Sequence, residues 1–296
     1  MKSNIAVMNP HLVIHHTMAY RQFGADDGRL VVYFHGTPGA PEECVVFDQY
    51  GKQNNLTFIS YDRFSVDTAL EGAAYYQLLA DEITDKAAGK AVDLVGFSIG
   101  GFIALQVCRL IESDVRSLHL VSAAAPLEAG NFTDMAAGKS VFRLAQRHPS
   151  VFHLLVRLQS LIAAICPNLV FRMMFASAAG EDRILAASGE FQTVITDILE
   201  LCFTRYSAGY ARDLRAYVQP WKDTLSGIEI NTHIWHGAED NWSPVSMAEY
   251  LASAIPGCTS TEIFSGLSHY SCLYRAAPAI CRQLGAASSG GIDAED

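Results

Sequence analysis

Asp93-Leu94-Val95-Gly96-Phe97-Ser98-Ile99-Gly100-Gly101 is the stretch on which the reading of this chain turns. Ala91 to Val95 is short and mostly apolar, as a central parallel strand covered on both faces must be. Phe102 to Ile111 carries Phe102, Leu105, Val107 and Leu110 at helix-like spacing. Between them lies Gly-x-Ser-x-Gly, the nucleophile-elbow pattern. The glycines at 96 and 100 let strand and helix approach without Cβ clashes, while the serine backbone is strained. The Ser98 oxygen is thereby aimed out of the sheet edge, above a helix N-terminus whose free N–H groups face a developing oxyanion.

Outward from this stretch, strand and helix alternate. Arg29–Phe34 and Leu56–Tyr61 read as buried strands, and Leu12–Phe23 as one or two edge strands. Pro41–Asn54 and Gly72–Ala88 read as helices, and Val115–Ala123 as the next strand. The alternation predicts an α/β fold with a mostly parallel sheet wrapped by helices. It breaks after Pro126. From Leu127 to Pro220 no convincing strand occurs, and helices are expected at about 134–147, 151–166, 169–178, 182–187, 191–204 and 208–218. Strands resume at Ile228–Trp235 and Thr259–Phe264, with helices at Val245–Ala254 and Ser271–Leu284. The expected division is a core of residues 1–126 and 221–285, an all-helical lid of 127–220 over the strand ends, and a disordered tail of 286–296. The apolar surplus of the lid, with flexible Met173 and Met174, points to an apolar acyl or ring pocket.

Composition narrows the function. Half of the 296 residues are hydrophobic and the formal charge is −10. With no basic run, nucleic acid and anionic membranes are not expected partners. The seven cysteines are scattered, odd in number and free of C-x-x-C, which fits free thiols in a reducing compartment. Met1–Pro10 lacks the apolar core of a signal peptide. The most apolar window, Val151–Ile165, is too short to span a bilayer. A soluble cytoplasmic protein without membrane insertion, monomer or homodimer, acting on a small molecule, is the expectation. His15 and His16 have no partners at metal-ligand spacing, and neither Gly-x-Gly-x-x-Gly nor Walker patterns occur, so no metal or other cofactor is expected.

A serine hydroxyl needs a base, and the base needs a carboxylate. Of ten histidines, His269 lies in a Gly-containing loop just past a strand, where a sheet's C-terminal edge forms a site. His35 and His236 each precede a glycine in a turn and read as structural; His119 and His233 lie within strands. Asp240 follows the preceding strand, with Glu239 and Glu128 as competitors for the acid. The order Ser98, Asp240, His269 is that of a Ser…Asp…His triad on such a sheet. His35-Gly36-Thr37-Pro38-Gly39 ends a strand beside the elbow and offers the Thr37 N–H as an oxyanion donor with that of Ile99. His35, Gly36, Gly96 and Gly100 shape the site.

These marks, with Gly237-Ala238-Glu239-Asp240 and Gly266-Leu267-Ser268-His269, make the chain resemble the α/β-hydrolase superfamily over nearly its whole length. The similarity is to its lid-bearing branch of serine esterases, haloperoxidase-like and proline-iminopeptidase-like proteins. The resemblance implies an α/β-hydrolase fold and carboxylesterase-like acyl transfer. Relatives carry Asp-x-x-Gly-x-Gly after the third strand; here Asp62-Arg63-Phe64-Ser65-Val66-Asp67 lacks the glycines, and Asp62 and Arg63 are expected to pair or to shape the site wall. Ser98 replaces the aspartate nucleophile of similar dehalogenases and epoxide hydrolases and excludes both. The same triad also serves C–C hydrolases, aminopeptidases, lyases and ligand sensors with little turnover. Glu128, Glu181, Asp182 and Glu190 are the acids that could hold a substrate amine.

Overall fold

The structure is a computed structural model and describes residues 18–289. The expectations for Leu12–Thr17, His15, His16 and Gly290–Asp296 lie outside the described residues. Seven strands form one sheet: β1 (Tyr20–Gly24), β2 (Arg29–Phe34), β3 (Leu56–Tyr61), β4 (Val92–Phe97), β5 (Val115–Val121), β6 (Thr232–Gly237) and β7 (Cys258–Phe264). Their order is β1-β3-β2-β4-β5-β6-β7. β1 is antiparallel to β3 and every other pair is parallel. The mainly parallel, helix-wrapped α/β architecture is the one the alternation predicts, and it agrees with the α/β-hydrolase fold that the resemblance implies. β3, β4 and β6 are buried along their whole length, as central parallel strands covered on both faces are. β1 and β7 are the half-exposed edges.

Helices α1 (Asp48–Gln53), α2 (Gly72–Ala87) and α3 (Ile99–Cys108) connect the first strands. Between β5 and β6 stand α4 (Phe132–Met135), α5 (Lys139–Arg147), α6 (Pro149–Ile165), α7 (Pro167–Phe175), α8 (Asp182–Ala187), α9 (Gly189–Thr204) and α10 (Ser207–Tyr217). α11 (Val245–Ala254) and α12 (His269–Ser289) complete the described residues. The strand order reverses between β2 and β4, which pair with Phe34 opposite Gly96. The loops leaving these two strands, at His35 and Ser98, therefore emerge side by side at the switch point where open α/β sheets bind ligands.

Several boundaries differ from the periodicity, each for a local reason. The helix expected at 134–147 is split into α4 and α5 because Gly138 interrupts it and the Ala137 N–H donates to the Asn241 carbonyl (2.8 Å). Pro41–Phe47 is a 3₁₀ turn preceding α1. β6 starts at Thr232, four residues late: the Ile228 N–H donates back to the Leu225 carbonyl (3.2 Å) of the Lys222–Gly227 3₁₀ turn and the Glu229 N–H to Glu112 (3.2 Å), not to a neighbouring strand. It continues through Gly237, paired to β7. α12 begins at His269, and it reaches Ser289, so residues 286–289 belong to a helix and not to a tail; Ala286 and Ala287 are strong helix formers.

Candidate active site

The elbow is bolted down from three sides. Ser98 has φ 55°, a left-handed value that costs a non-glycine residue about 1–3 kcal/mol. The surroundings hold it there: the Ser98 N–H donates to the Val121 carbonyl (3.0 Å), and the Ser98 carbonyl accepts the N–H groups of Gly101 (3.0 Å) and Ala124 (3.2 Å). Gly100 lies so close to the end of β2 that a Cβ there would overlap the Phe34 and His35 carbonyl oxygens. This contact brings Ile99 beside the His35–Gly39 loop. Ser98, Ile99 and Thr37 all line one cavity of about 330 Å³.

Asp240 and His269 are brought together. His269 Nδ1 lies 2.7 Å from Asp240 Oδ2, with both side chains buried. A carboxylate only accepts, so Nδ1 carries the proton and the neutral ring leaves Nε2 as its acceptor. Asp240 Oδ1 accepts the N–H groups of Trp242 and Ser243, both at 2.9 Å, which fixes the carboxylate plane. Burial by itself would push the Asp240 carboxyl up; the charge and hydrogen bond of His269, then His236 and the Ser243 N–H, outweigh it and hold the carboxyl below its usual range. Burial likewise pulls His269 down, and Asp240 reverses this, so that His269 stands above its ordinary value of 6.5. Phe97, next to Ser98, packs on the His269 ring with centroids 4.8 Å apart, and Trp242 covers it at 5.1 Å.

The competitors go elsewhere. Glu128 accepts the backbone N–H groups of Trp221 (2.6 Å) and Lys222 (2.7 Å). Glu239 is held through its own N–H to the Leu267 carbonyl (2.9 Å). His236 Nε2 faces the Ser243 carbonyl (2.7 Å) and burial lowers the ring's proton affinity, so it stays neutral beneath the acid loop. His35 Nδ1 faces the Gly36 carbonyl (2.9 Å), and burial, then the nearby Arg63 charge, pull it well below its ordinary value. His119 is pulled down to about 3 by burial and its neighbour His233, and rests against Ser117 and Trp235 inside the sheet.

Arg63 does not pair with Asp62. It pairs with Asp213 of α10 (2.8 Å) and donates to the Gly36 carbonyl (3.2 Å) and Thr37 Oγ1 (3.0 Å). Tight packing at this wall is supplied from α10: a Cβ on Gly209 would overlap the backbone of Phe64. The glycines absent from 62–67 are thus matched by one on the facing helix. Glu43, which the sequence reading passed over, is buried behind the same loop. It accepts the Gly36 N–H (2.7 Å) and the Tyr33 hydroxyl (2.9 Å), and burial raises its carboxyl. Asp182, buried at the start of α8, accepts the N–H groups of Tyr270 (3.1 Å) and Ser271 (2.7 Å), in the first turn of the helix that begins with His269. The acidic residue was visible in the sequence, but its target 88 residues away was not. Among the described residues, no three His, Cys, Asp or Glu side chains gather as a metal-holding group.

A family model for lipid-droplet associated hydrolases matches residues 71–271, well over half of the chain. The chain belongs to this family. No curated protein matches it. Among solved structures it resembles the bromoperoxidase from Bacillus anthracis, at 17% identity and TM-score 0.63, over 90% of this chain and 93% of that one. It resembles the esterase from Exiguobacterium antarcticum at 21% identity and TM-score 0.60, over 91% and 94%. An enol-lactonase from Burkholderia xenovorans aligns at 16% and 0.59, over 90% and 94%. At these identities the likeness carries the fold alone. The expected α/β-hydrolase fold is the observed one, and hydrolase chemistry holds at the level of the family.

Proposed function

We propose that this chain is a serine hydrolase that cleaves carboxylic esters of apolar acids through an acyl-enzyme on Ser98. The observation that carries the reading is the buried Asp240–His269 pair, its ring packed on Phe97, next to a strained Ser98 that lines an apolar cavity. His269 Nε2 takes the Ser98 proton as Oγ attacks the ester carbonyl. The backbone N–H groups of Thr37 and Ile99 receive the oxyanion, and the Ile99 N–H belongs to the free first turn of α3. The imidazolium, balanced by Asp240, protonates the leaving alcohol. Water then enters and gives its proton to His269 as its oxygen attacks the acyl carbon; the acyl–Oγ bond breaks, His269 returns the proton to Ser98 Oγ, and the acid leaves.

Phe142, Ile162, Val170 and Met174 line the cavity and fit an aliphatic chain, so residues 127–220 serve as the lid that contributes the acyl pocket. An aminopeptidase reading loses its amine anchors, since Glu128 and Asp182 are spent on backbone N–H groups and Glu181 and Glu190 are exposed. The test is hydrolysis of p-nitrophenyl esters from acetyl to dodecanoyl. Ser98→Ala should lower kcat by about 10⁴–10⁶-fold. Ester turnover persisting in a clean Ser98→Ala preparation would overturn the reading.

A further inference from the structure

We infer that Glu43 is a positioning residue for the oxyanion donor: one buried carboxylate fixes the Gly36–Thr37 loop and ties it to the helix that begins with His269. The inference rests on the serine reading and adds to it a residue that does not line the cavity. Glu43 stands in the 3₁₀ turn Pro41–Phe47, which places it inside, 4% exposed, and puts its neighbour Glu42 outside, paired with Arg21 (2.9 Å). Glu43 Oε2 accepts the Gly36 N–H (2.7 Å) and the Tyr33 hydroxyl (2.9 Å), and Oε1 faces the Tyr270 hydroxyl (3.4 Å). Three elements meet at this carboxylate: β2 through Tyr33, the loop leaving β2 through Gly36, and α12 through Tyr270, the residue after His269.

Peptide geometry sets the consequence. The C=O and N–H of one trans peptide point in opposite directions. Gly36 is held on both sides, its N–H by Glu43 and its carbonyl by Arg63 Nη2 (3.2 Å), which Asp213 anchors in turn. With the Gly36 carbonyl drawn towards Arg63, the Thr37 N–H of the same peptide points the other way, and Thr37 lines the cavity with Ser98. Glycine is the residue least able to fix its own backbone, so the direction of the Thr37 N–H depends on these two outside partners. A buried carboxylate is costly unless it is hydrogen-bonded. Burial raises the Glu43 carboxyl, and the bonds from Gly36 and Tyr33, then the charge of Arg63, oppose this. An apolar side chain would pack here at less cost and could not accept the Gly36 N–H.

The test uses the full chain, p-nitrophenyl butyrate as substrate and an alkyl trifluoromethyl ketone as probe of the oxyanion. In the ketone adduct the carbonyl carbon bonds to Ser98 Oγ, the carbonyl oxygen becomes the anion, and the Oγ proton passes to His269. Glu43→Asp keeps the charge but ends about 1.5 Å short of Gly36; Glu43→Leu fills the space without an acceptor; Glu43→Gln keeps both reach and acceptor. The Asp and Leu variants should each lower kcat about 10–100-fold with KM within about twofold, and weaken the ketone by the same factor. Glu43→Gln should recover most of both. Either of the first two carries the test if the other does not fold, and fluorophosphonate titration counts the active sites. A residue that only stabilises the fold would lower the denaturation midpoint and leave kcat and ketone affinity per active site as in the wild type, which overturns the inference. Asp outperforming Gln overturns it too, because charge and not reach would then matter. Ser98→Ala should lose turnover and tight ketone binding. If it keeps them, the serine reading fails and takes this inference with it; if it loses them while the Asp and Leu variants match the wild type, the role of Glu43 falls alone.

Discussion

Replacing Asp182 by alanine should disable the active site from a helix that does not line it. The carboxylate accepts two N–H groups in the first turn of α12, at 3.1 and 2.7 Å, and is 2% exposed. A helix N-terminus leaves such donors without intrahelical partners. Charge-assisted bonds contribute about 1.5–3 kcal/mol each, and truncating an N-capping Asp costs about 0.5–2 kcal/mol. Asp182→Ala should therefore lose about 2–4 kcal/mol in denaturant unfolding, which a domain with about 5–15 kcal/mol survives. His269 opens that turn, so its ring loses definition against Asp240. A misplacement of about 1 Å costs on the order of 10²-fold, and kcat should fall about 10–100-fold with KM little changed. The Asp182 charge also helps to hold His269 above its ordinary value. Both Asp182→Ala and Asp182→Asn should shift the acid limb of kcat/KM to lower pH, and Asn, which keeps one acceptor, should recover part of kcat. If stability falls while kcat and the acid limb stay put, Asp182 is only a cap and the coupling to His269 is refuted.

In the proposed mechanism His269 acts as a base only when neutral, so kcat/KM of the wild type should decline on acidification through a midpoint above 6.5. A midpoint below 6.5 would contradict the Asp240 contact. The same pair fixes a pH dependence of stability. Asp240, held low, stabilises above its ordinary 3.8 and loses this as pH falls through its folded value; His269, held high, stabilises below 6.5 and loses this as pH rises through its folded value. The Tm gap between wild type and His269→Gln should accordingly narrow as pH is raised past neutrality. Arg63→Met leaves Asp213 short of a partner in a buried site and frees the Gly36–Thr37 loop, so unfolding should cost about 3–5 kcal/mol less and kcat should drop. Arg63→Lys should not rescue either, since an ammonium cannot reproduce the guanidinium fork. Ile162→Trp fills the cavity wall, and the preferred p-nitrophenyl ester should become shorter with acetyl turnover retained.

The core was legible because its signals are local. The apolar runs of β2 to β5, the glycines around Ser98 and the turn residues before Asp240 and His269 are each read within about ten residues, and parallel strands must send their chemistry to one edge. The extent of α12 was misjudged because its start depends on Asp182, a cap from another element. The Arg63–Asp213 pair spans 150 positions and leaves no local trace. Glu43 sits in a polar Glu-Glu dipeptide where nothing marks one residue as buried and its neighbour as paired with Arg21. The apolar surplus of 127–220 was visible, but its partition was not: Phe152, Phe171 and Phe175 enter the core, Ile162 and Met174 line the cavity, and Leu154, Leu158 and Leu161 face solvent. Helical periodicity gives a face; it does not say what that face meets.

The contacts between the helical insert and the core constrain how substrate enters. α8 holds the turn that begins with His269, through Asp182 and the α12 N-terminus. The chain after α7 holds the loop that carries Asp240, with Asn241 Nδ2 donating to the Ser177 carbonyl (2.7 Å), and the segment before α5 grips the same loop through Ala137. α10 holds the Gly36–Thr37 loop through Asp213 and Arg63. Lifting the insert as a rigid flap would break all of these at once. At about 1–3 kcal/mol per contact, such an open state would be populated on the order of one part in a thousand or less. It would also dismantle the arrangement that the chemistry requires. Substrate must instead pass between elements that leave these anchors intact. Met173 both lines the cavity and is exposed, on a helix whose outer residues make none of the anchoring bonds. A disulfide engineered between the insert and the core at the α8–α12 contact should then leave turnover of long-chain esters intact, whereas crosslinking α6 to α7 across the cavity mouth should abolish it.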